Sequence, residues 1–437
     1  MELPSKFNTA DWNNFLQQAA INKGLTRSET RVFLTRFDYE NWLERIEDIW
    51  QSSDVNSFES FNRHSSNIYR KFRAECPDLG MGAGNFIILR DYLLEQFQPS
   101  DSDGDRFVAI SESTECYQAV LQPGSLIRIK APSKMGKTTL LNKIIDYAAE
   151  QEYQTIKINL LQIESDRFSS LDRFLRWFCV HINDALKLEL NLERYWSQDR
   201  GCVQSCTRYL EQVLEDLPQP LVLGLDEVDR LLNYPDLSQD FFYLLRSWHE
   251  EANNDELWEK LRLIVVYSTE DFGNLDINQS PFNVGIPIQL KSFDRQQIQE
   301  LAEKYRIDIT NQEIKKLLAM LGGHPYLIDL AISYLAKTPQ LDVDQLLQQS
   351  VADTGIFSSY LRQHLVSLSS NPDLTQVFLE VLNSPKAIRI DTLLAYQLYR
   401  MGLIRWSKEV SAVKPSCELY RLYFLPRLNN RQLTTNN

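Results

Sequence analysis

The segment Ala131 to Thr138, APSKMGKT, constrains the fold of this chain more than any other segment. It follows a short apolar run, precedes a helical pattern, and fits the motif GxxxxGK[ST] except at its first residue. In that motif, successive backbone N–H groups surround the phosphates of a nucleotide, and the following helix adds the positive end of its dipole. The segment, which we call the P-loop, therefore predicts a strand, a phosphate-binding turn and a helix in this order.

Two side chains of the P-loop have specific roles in the motif. Lys137 reaches the β and γ phosphates, and the Thr138 hydroxyl holds Mg²⁺, so the predicted cofactors are ATP or ADP and Mg²⁺. Ala131 stands where the motif has Gly, which makes the first turn less permissive for positive φ. We expect the Lys137 side chain to face solvent. The predicted nucleotide-binding residues here are Ala131, Pro132, Ser133, Lys134, Met135, Gly136, Lys137, Thr138 and Thr139.

A second motif, the acidic segment LGLDEVD, ends an apolar run further along the chain. Asp226 is predicted to hold the Mg²⁺ through water, and Glu227 to orient and polarise the attacking water. A strand that ends in an acidic turn is common by itself. Together with the P-loop, however, this pair predicts a nucleotide site.

Five short runs rich in apolar and β-branched residues alternate with helical patterns, which is typical of a parallel sheet covered by helices on both faces. We therefore predict an α/β P-loop NTPase core. Ser268 and Thr269 follow one of these runs, where they would lie near the γ phosphate; ordinary polar residues at a strand end are the alternative. The predicted strands are Leu126 to Lys130, Thr155 to Leu160, Leu221 to Leu225, Leu261 to Tyr267 and Ile286 to Leu290.

The regions on either side of this core are predicted to be helical. Residues 1–97 show helical spacing of apolar residues, including a capping box at Thr26 and Glu29. Residues 98–106, QPSDSDGDR, are a predicted linker. From Asp294 to about Gln349 the pattern is all helical, and after about Asn371 helices precede a candidate hairpin.

Composition excludes several classes of protein. The 46 Lys and Arg against 59 Asp and Glu give a net charge of -13, so the surface as a whole should repel nucleic acid and anionic membranes. The six cysteines show no spacing typical of zinc sites, and although Cys202 and Cys206 could share one helix face, we assign them no metal. With neither a signal peptide nor a membrane-spanning run in the sequence, we expect a cytoplasmic protein.

Several motifs together resemble the AAA-like ATPase family of cyanobacterial type, which is related to the STAND and Orc/Cdc6-type P-loop ATPases. The resemblance spans roughly residues 107–428. It implies an ATPase core at 107–291, a helical lid at 292–350 and a C-terminal winged helix at 351–437. The motifs that carry it are APSKMGKTTL, LGLDEVD, LLRSWHEEA, LRLIVVYSTE, LGGHPYLI and CELYRLYF.

The resemblance and the local sequence together indicate further candidate site residues. Within the motif GHP, His324 and Pro325 match the lid element that touches the nucleotide in STAND proteins; a helix start with Pro at its first position is the other interpretation. Phe107 and Val108 would pack on the adenine ring or simply in the core. Arg246 is a candidate arginine acting on a neighbouring copy, or an ordinary exposed helix residue.

Two departures from the family pattern affect the predicted function. The lid helix does not start with the Arg that AAA+ proteins place there, so we expect slow hydrolysis. The chain ends at Asn437 soon after the winged helix, so we expect residues 1–97 or a separate protein partner to recognise the activating signal. We therefore predict an ATP-driven molecular switch in signalling or defence, which could form a nucleotide-dependent homo-oligomer. A DNA-binding regulator or loader and a non-hydrolysing nucleotide-bound scaffold are the alternatives.

The C-terminal region, residues 386–431, carries a local positive charge. It could bind DNA, it could dock on the acidic core and lock the ADP state as the STAND resemblance implies, or it could be a solvated surface. Its nine basic residues are Lys386, Arg389, Arg400, Arg405, Lys408, Lys414, Arg421, Arg427 and Arg431, against the acidic Asp391, Glu409 and Glu418.

Overall fold

The computed structural model describes residues 9–38, 46–51, 57–73, 85–96, 111–197, 199–268, 281–407 and 411–435, with the single residues Asn41, Val55, Cys76, Leu79 and Val108. The chain forms two compact units, Met1–Asp105 and Arg106–Asn437. The predicted linker, residues 98–106, lies outside the described residues. The finer domain boundaries that we gave within the second unit stay predictions.

The described part of the first unit is helical, as predicted. Thr26 caps α2: its hydroxyl accepts the Glu29 N–H, and the Glu29 carboxylate accepts the Thr26 N–H at 2.8 Å, which is the expected capping box. Apolar residues of α1, α2, α4 and α5 form the core of this unit. The helices are α1 (Thr9–Asn22), α2 (Arg27–Phe37), α3 (Ile46–Gln51), α4 (Phe58–Phe72) and α5 (Asn85–Gln96).

A parallel five-stranded sheet organises the second unit. Its strands are β1 (Leu126–Lys130), β2 (Gln154–Asn159), β3 (Leu221–Asp226), β4 (Leu261–Tyr267) and β5 (Ile286–Gln289). Their order across the sheet is β2-β3-β4-β1-β5, and every pairing is parallel. All five predicted strands are confirmed, with ends that differ by no more than one residue. The P-loop strand β1 therefore lies beside β4, and β4 lies beside the acidic-motif strand β3.

Helices cover both faces of this sheet, which confirms the predicted α/β class. Along β4, Leu263 and Val265 pack with α8, α9 and α10, whereas Ile264 and Val266 pack with α6 and α7. This alternation arises because successive side chains of a strand point to opposite faces. Gly224 of β3 lets α7 approach, since a Cβ there would lie 2.9 Å from Leu141 Cδ1. The helices are α6 (Ser111–Val120), α7 (Lys137–Glu150), α8 (Leu171–Leu186), α9 (Cys202–Asp216) and α10 (Pro235–Glu251).

The C-terminal part of this unit consists of eight described helices and one hairpin. The helices are α11 (Arg295–Lys304), α12 (Asn311–Leu321), α13 (Pro325–Lys337), α14 (Val343–Gln348), α15 (Ser358–Ser369), α16 (Pro372–Asn383), α17 (Thr392–Arg400) and α18 (Glu418–Thr435). Strands β6 (Ile404–Trp406) and β7 (Val413–Pro415) pair antiparallel. One hydrophobic cluster runs through the predicted lid and the C-terminal helices together. The winged-helix assignment stays a prediction.

The cysteines are free thiols. Cys206 is fully buried, and its Sγ lies 3.6 Å from Cys179 Sγ on α8. Within the described part of the chain no group of three or more His, Cys, Asp or Glu residues is placed to hold a metal ion. Among the same residues, no helix combines the length and the apolar character that crossing a membrane requires.

Candidate functional site

The P-loop connects β1 to the N-terminus of α7. Gly136, the residue before α7, has φ +91° and offers no side-chain cap, so the first N–H groups of the helix stay open to a ligand. Positive φ in this loop falls on Lys134 and Gly136 and not on Ala131. The Ala131 departure from the motif is therefore compatible with the loop conformation.

Lys137 lies inside the site, not on the solvent-facing side that we expected. Only 5% of the residue is exposed, and its Nζ donates to the Pro132 carbonyl at 3.0 Å. Burial lowers the pKa of Lys137, while the carboxylates of Glu227, Asp229 and Asp226 oppose that shift. A buried ammonium bonded to a neutral carbonyl is well placed to accept an anionic ligand.

Thr138 and Asp226 join the two predicted motifs. The Thr138 hydroxyl donates to Asp226 Oδ2 at 2.8 Å, and Asp226 Oδ1 accepts the backbone N–H of Glu227 at 3.1 Å. Asp226 is completely buried, and Lys157 Nζ stands 3.9 Å from its Oδ2. The two residues predicted to hold Mg²⁺ thus lie together at the carboxyl edge of the sheet.

Glu227 follows β3 in a strained backbone conformation with φ +58°. Burial raises the pKa of this carboxyl; Lys137 lowers it, Asp226 and Asp229 raise it further, and Arg400 lowers it. A carboxyl with a raised pKa is a stronger base than an ordinary one once it is ionised. The environment of Glu227 therefore suits proton acceptance.

Ser268 lies at the end of β4, beside the end of β3, as the predicted neighbouring strand requires. Its backbone N–H donates to Asp229 Oδ2 at 2.7 Å. Sequence reasoning missed Asp229, although an acid two residues after Glu227 in the same motif was a visible signal. Thr269 lies outside the described residues.

A cavity of about 810 Å³ opens beside these residues. Ser133, Glu227 and Ser268 line it from the α/β core. The opposite side consists of α15, from Ser359 to Ser367, and of Arg400 and Met401 at the end of α17. Docking of the C-terminal region on the core was one of our alternatives, but we did not predict that α15 and the end of α17 face the P-loop.

A family model described as AAA-like domain matches residues 99–426. The chain belongs to the AAA-like domain family. This match contains the P-loop, the acidic motif and both C-terminal helices that line the cavity, so the whole site lies within the AAA-like domain.

The similarity of this AAA-like protein to a curated WD repeat-containing protein is low. It is 22% identical over 246 residues to an uncharacterized WD repeat-containing protein of Synechocystis sp., a match that covers 54% of this chain and 20% of that protein. The chain thus spans about one fifth of the length of that curated relative.

Among solved structures, the ORC2 protein of Aeropyrum pernix is 13% identical and has a TM-score of 0.45, with coverage of 75% of this chain and 94% of that one. Cdc6p of Pyrobaculum aerophilum is 14% identical, with a TM-score of 0.37 and coverage of 78% and 98%. Domain III of Thermotoga maritima DnaA is 17% identical, with a TM-score of 0.35 and coverage of 56% and 94%.

In this AAA-like protein, the C-terminal region contacts the P-loop directly. The Ser133 N–H donates to the Arg400 carbonyl at 2.9 Å. Gly402 follows closely, and a Cβ at that position would lie 3.6 Å from both the Ser133 carbonyl oxygen and His324 Nε2. Lys134 Nζ stands 5.3 Å from the centre of the Tyr326 ring on α13. The P-loop is therefore in contact with the lid and with the end of α17.

His324 is buried beside the P-loop, and Pro325 is the first residue of α13. Burial and then the charge of His364 lower the pKa of His324 to about 4, against the opposing effect of the Ser133 backbone. The Tyr360 hydroxyl lies 3.5 Å from His324 Nε2 and 2.9 Å from the Tyr420 hydroxyl. His324 thus connects the P-loop to α15 and α18.

The remaining predicted site residues do not share one environment. Met135 is buried and Thr139 is exposed at the start of α7. Val108 packs in the hydrophobic cluster of the lid and C-terminal helices, and Phe107 lies outside the described residues. Arg246 does not line the cavity: it donates to Glu250 at 2.8 Å and to Asn283 at 2.7 Å.

Proposed function

We propose that this AAA-like protein binds ATP with Mg²⁺ at the P-loop, hydrolyses it slowly and acts as a molecular switch in signalling or defence. The observation that carries the proposal is the 2.8 Å contact between Thr138 and Asp226, beside the buried Lys137. It unites the phosphate-binding loop with the acidic motif at one edge of the sheet, where ligands of open α/β sheets bind.

Thr138 and Asp226 fit a Mg²⁺ ion because this ion prefers oxygen ligands and commonly bridges a carboxylate to phosphates. Asp226 is a fully buried carboxylate whose nearest cation, Lys157, stands at 3.9 Å from its Oδ2. When bound, Mg²⁺ neutralises phosphate charge. Lys137 adds a second positive charge, and its buried ammonium regains a counter-ion when the phosphates arrive.

Glu227 is the proposed general base. It lines the cavity beside Ser268, where a water molecule next to the γ phosphate would lie within reach. The carboxylate accepts the proton from that water as the water attacks phosphorus. Burial of Glu227, which raises its pKa, makes the carboxylate a better acceptor at neutral pH.

The moving part of the proposed switch is the C-terminal region. Its contact with the P-loop, from Ser133 to Arg400, supports docking within the chain over a freely solvated basic surface. Because the docked helices line the same cavity as Glu227 and Ser268, a nucleotide in the site touches both sides. A ligand shifts such an equilibrium when it binds the docked and undocked states differently.

Equilibrium binding of ATP and ADP to the purified chain, with Mg²⁺ and with a chelator, tests the nucleotide site. We expect Mg²⁺ to strengthen ATP binding in the wild type, and Asp226→Asn and Thr138→Ala to lose that gain. Asp146→Asn, which removes an exposed carboxylate from α7, is the matched control and retains it. Equal Mg²⁺ dependence in Asp226→Asn and the wild type would contradict the assignment.

A second candidate function, DNA binding, is favoured by one feature of the hairpin. Arg405 and Lys414 lie directly opposite each other on β6 and β7, and both are exposed. Like charges in this arrangement repel, and a polyanion would relieve the repulsion. Arg405→Glu with Lys414→Glu should abolish DNA binding at low salt if this function exists. No binding by the wild type at low salt would exclude it.

The first unit is the proposed site of a protein partner, and Arg246 the proposed arginine that completes the site of a neighbouring copy in an oligomer. Arg246 is held by Glu250 and Asn283, so it must release them to act in this way. If ATP turnover per chain rises with protein concentration in the wild type but not in Arg246→Ala, the proposed role of Arg246 in a neighbouring copy is supported. Turnover per chain that is independent of concentration would contradict it.

A further inference from the structure

Two arginines of the C-terminal helices line the cavity opposite Glu227 and Ser268. Arg362 comes from α15 and Arg400 from the last position of α17, and both are exposed. Arg362 donates one hydrogen bond, to the Asp353 carbonyl at 3.1 Å. Within the described residues, the Arg400 guanidinium forms no hydrogen bond or ion pair. Both guanidinium groups therefore have donors available for a ligand.

The position of Arg400 is set by its own backbone. Its carbonyl accepts the Ser133 N–H, which ties the end of α17 to the P-loop. Gly402, two residues later, packs against Ser133 and His324 without a side chain. The base of the Arg400 side chain thus stands at the P-loop itself, next to Ser133.

Positive charge converges on this part of the cavity. Arg362 and Arg400 both line it, and the Arg400 backbone is hydrogen-bonded to Ser133 of the P-loop. Two guanidinium groups that line one cavity repel each other, and an anionic ligand between them relieves that repulsion. The most highly charged group of the proposed ligand at this position, next to Glu227 and Ser268, is the γ phosphate of ATP.

We propose that Arg362 and Arg400 bind the γ phosphate, so that ATP tightens the docking of α15 and α17 on the P-loop and ADP loosens it. The inference rests on the proposed nucleotide site. Its direction is opposite to the ADP-locked state that the STAND resemblance implies.

The physical basis is a difference in charge between two ligands. ATP places an additional phosphate between the core and the C-terminal helices, and planar guanidinium groups bind phosphate oxygens with paired hydrogen bonds. ADP lacks that phosphate, so the two guanidinium groups have no γ-phosphate oxygens to bind. ATP therefore stabilises the docked arrangement relative to ADP.

Affinities for ADP and for a non-hydrolysable ATP analogue, measured on the full chain with Mg²⁺, test the inference. Arg400→Ala and Arg362→Ala should each weaken binding of the ATP analogue roughly tenfold and change ADP binding by less than about twofold. Arg208→Ala, which removes an exposed guanidinium from α9 outside the cavity, is the matched control and should change neither. Equal losses for both nucleotides, or no loss for the analogue, would overturn the inference.

Amide hydrogen exchange across residues 358–400 provides the second readout. We expect slower exchange with the ATP analogue than with ADP in the wild type, and no difference between the nucleotides in Arg400→Ala. Slower exchange with ADP would overturn the proposed direction while leaving the nucleotide site intact. A wild-type chain that binds neither nucleotide would remove the proposed function, and this inference with it.

Discussion

The Thr138 hydroxyl donates a hydrogen bond to Asp226 Oδ2 at 2.8 Å, although 88 residues separate the two positions along the chain. The contact exists because β1 and β3 are parallel strands of one sheet, so the segments after them emerge at the same edge. It places the hydroxyl of the P-loop and the carboxylate of the acidic motif where one ligand can meet both. The predictions below test this arrangement and its surroundings.

Lys137→Ala should abolish ATP binding and leave the fold intact. The ammonium is buried next to the Pro132 carbonyl, where its desolvation is unfavourable, so its removal should change the free energy of unfolding by less than about 1 kcal/mol. Calorimetric titration and urea unfolding measure the two quantities. Lys315→Ala, which removes an exposed Lys from α12, controls for loss of charge. Undiminished ATP affinity in Lys137→Ala would refute the site.

The variant Glu227→Gln should bind ATP as the wild type does. Its turnover rate should be lower by a factor of roughly 10² to 10⁴, because an amide does not accept a proton from water. In the wild type, burial raises the pKa of Glu227 above its ordinary 4.5. The base is lost as pH falls through that raised pKa, so kcat should decline at a higher pH than an unperturbed Glu would give. A pH profile of single-turnover rates checks this, and equal rates in variant and wild type would favour a non-hydrolysing scaffold.

Asp229→Ala should destabilise the second unit by about 1–3 kcal/mol, because it leaves the buried Ser268 N–H without its acceptor. Asp229→Asn keeps an acceptor oxygen and should cost less. Chemical denaturation of the two variants compares them directly. If both variants are as stable as the wild type, the hydrogen bond that positions Ser268 is not important for stability.

The stability of the second unit should fall as pH decreases from about 6.5 to about 4. Burial lowers the pKa of both His324 and His364 to about 4, with a further contribution to His324 from the charge of His364. In this window the unfolded chain binds protons that the folded chain does not, so folding becomes less favourable as pH falls. Urea unfolding at several pH values should give a shallower slope for His324→Gln with His364→Gln, and parallel curves would contradict the prediction.

Local patterns in the sequence were sufficient to predict the sheet and one side of the site. The strands β3 and β4 are almost wholly apolar because they are buried on both faces, so their limits can be read from the apolar pattern. The four central site residues stand at fixed offsets from the ends of β1 and β3: Lys137, Thr138, Asp226 and Glu227. Their proximity followed from one rule, that the carboxyl ends of parallel strands share an edge.

The burial of Lys137 and the role of Asp229 were not predicted correctly. A loop lysine in the sequence carries no sign of how deeply its loop is covered, and the cover here comes from the lid and from the end of α17. Asp229 was visible as an acid in LGLDEVD. Only the pairing of β3 with β4 shows that it accepts the backbone N–H of Ser268.

By itself the sequence determined the α/β core, the P-loop and the acidic motif, because periodicity and motif offsets act over a few residues. The tertiary structure alone decided which residues of the C-terminal helices face the P-loop and the acidic motif. The helices that carry Arg362, His364 and Arg400 are amphipathic and resemble any others in the sequence. These residues reach the cavity because the C-terminal helices share one hydrophobic core with the lid. Packing of apolar side chains is not directional, so the position of those helices depends on the whole folded unit.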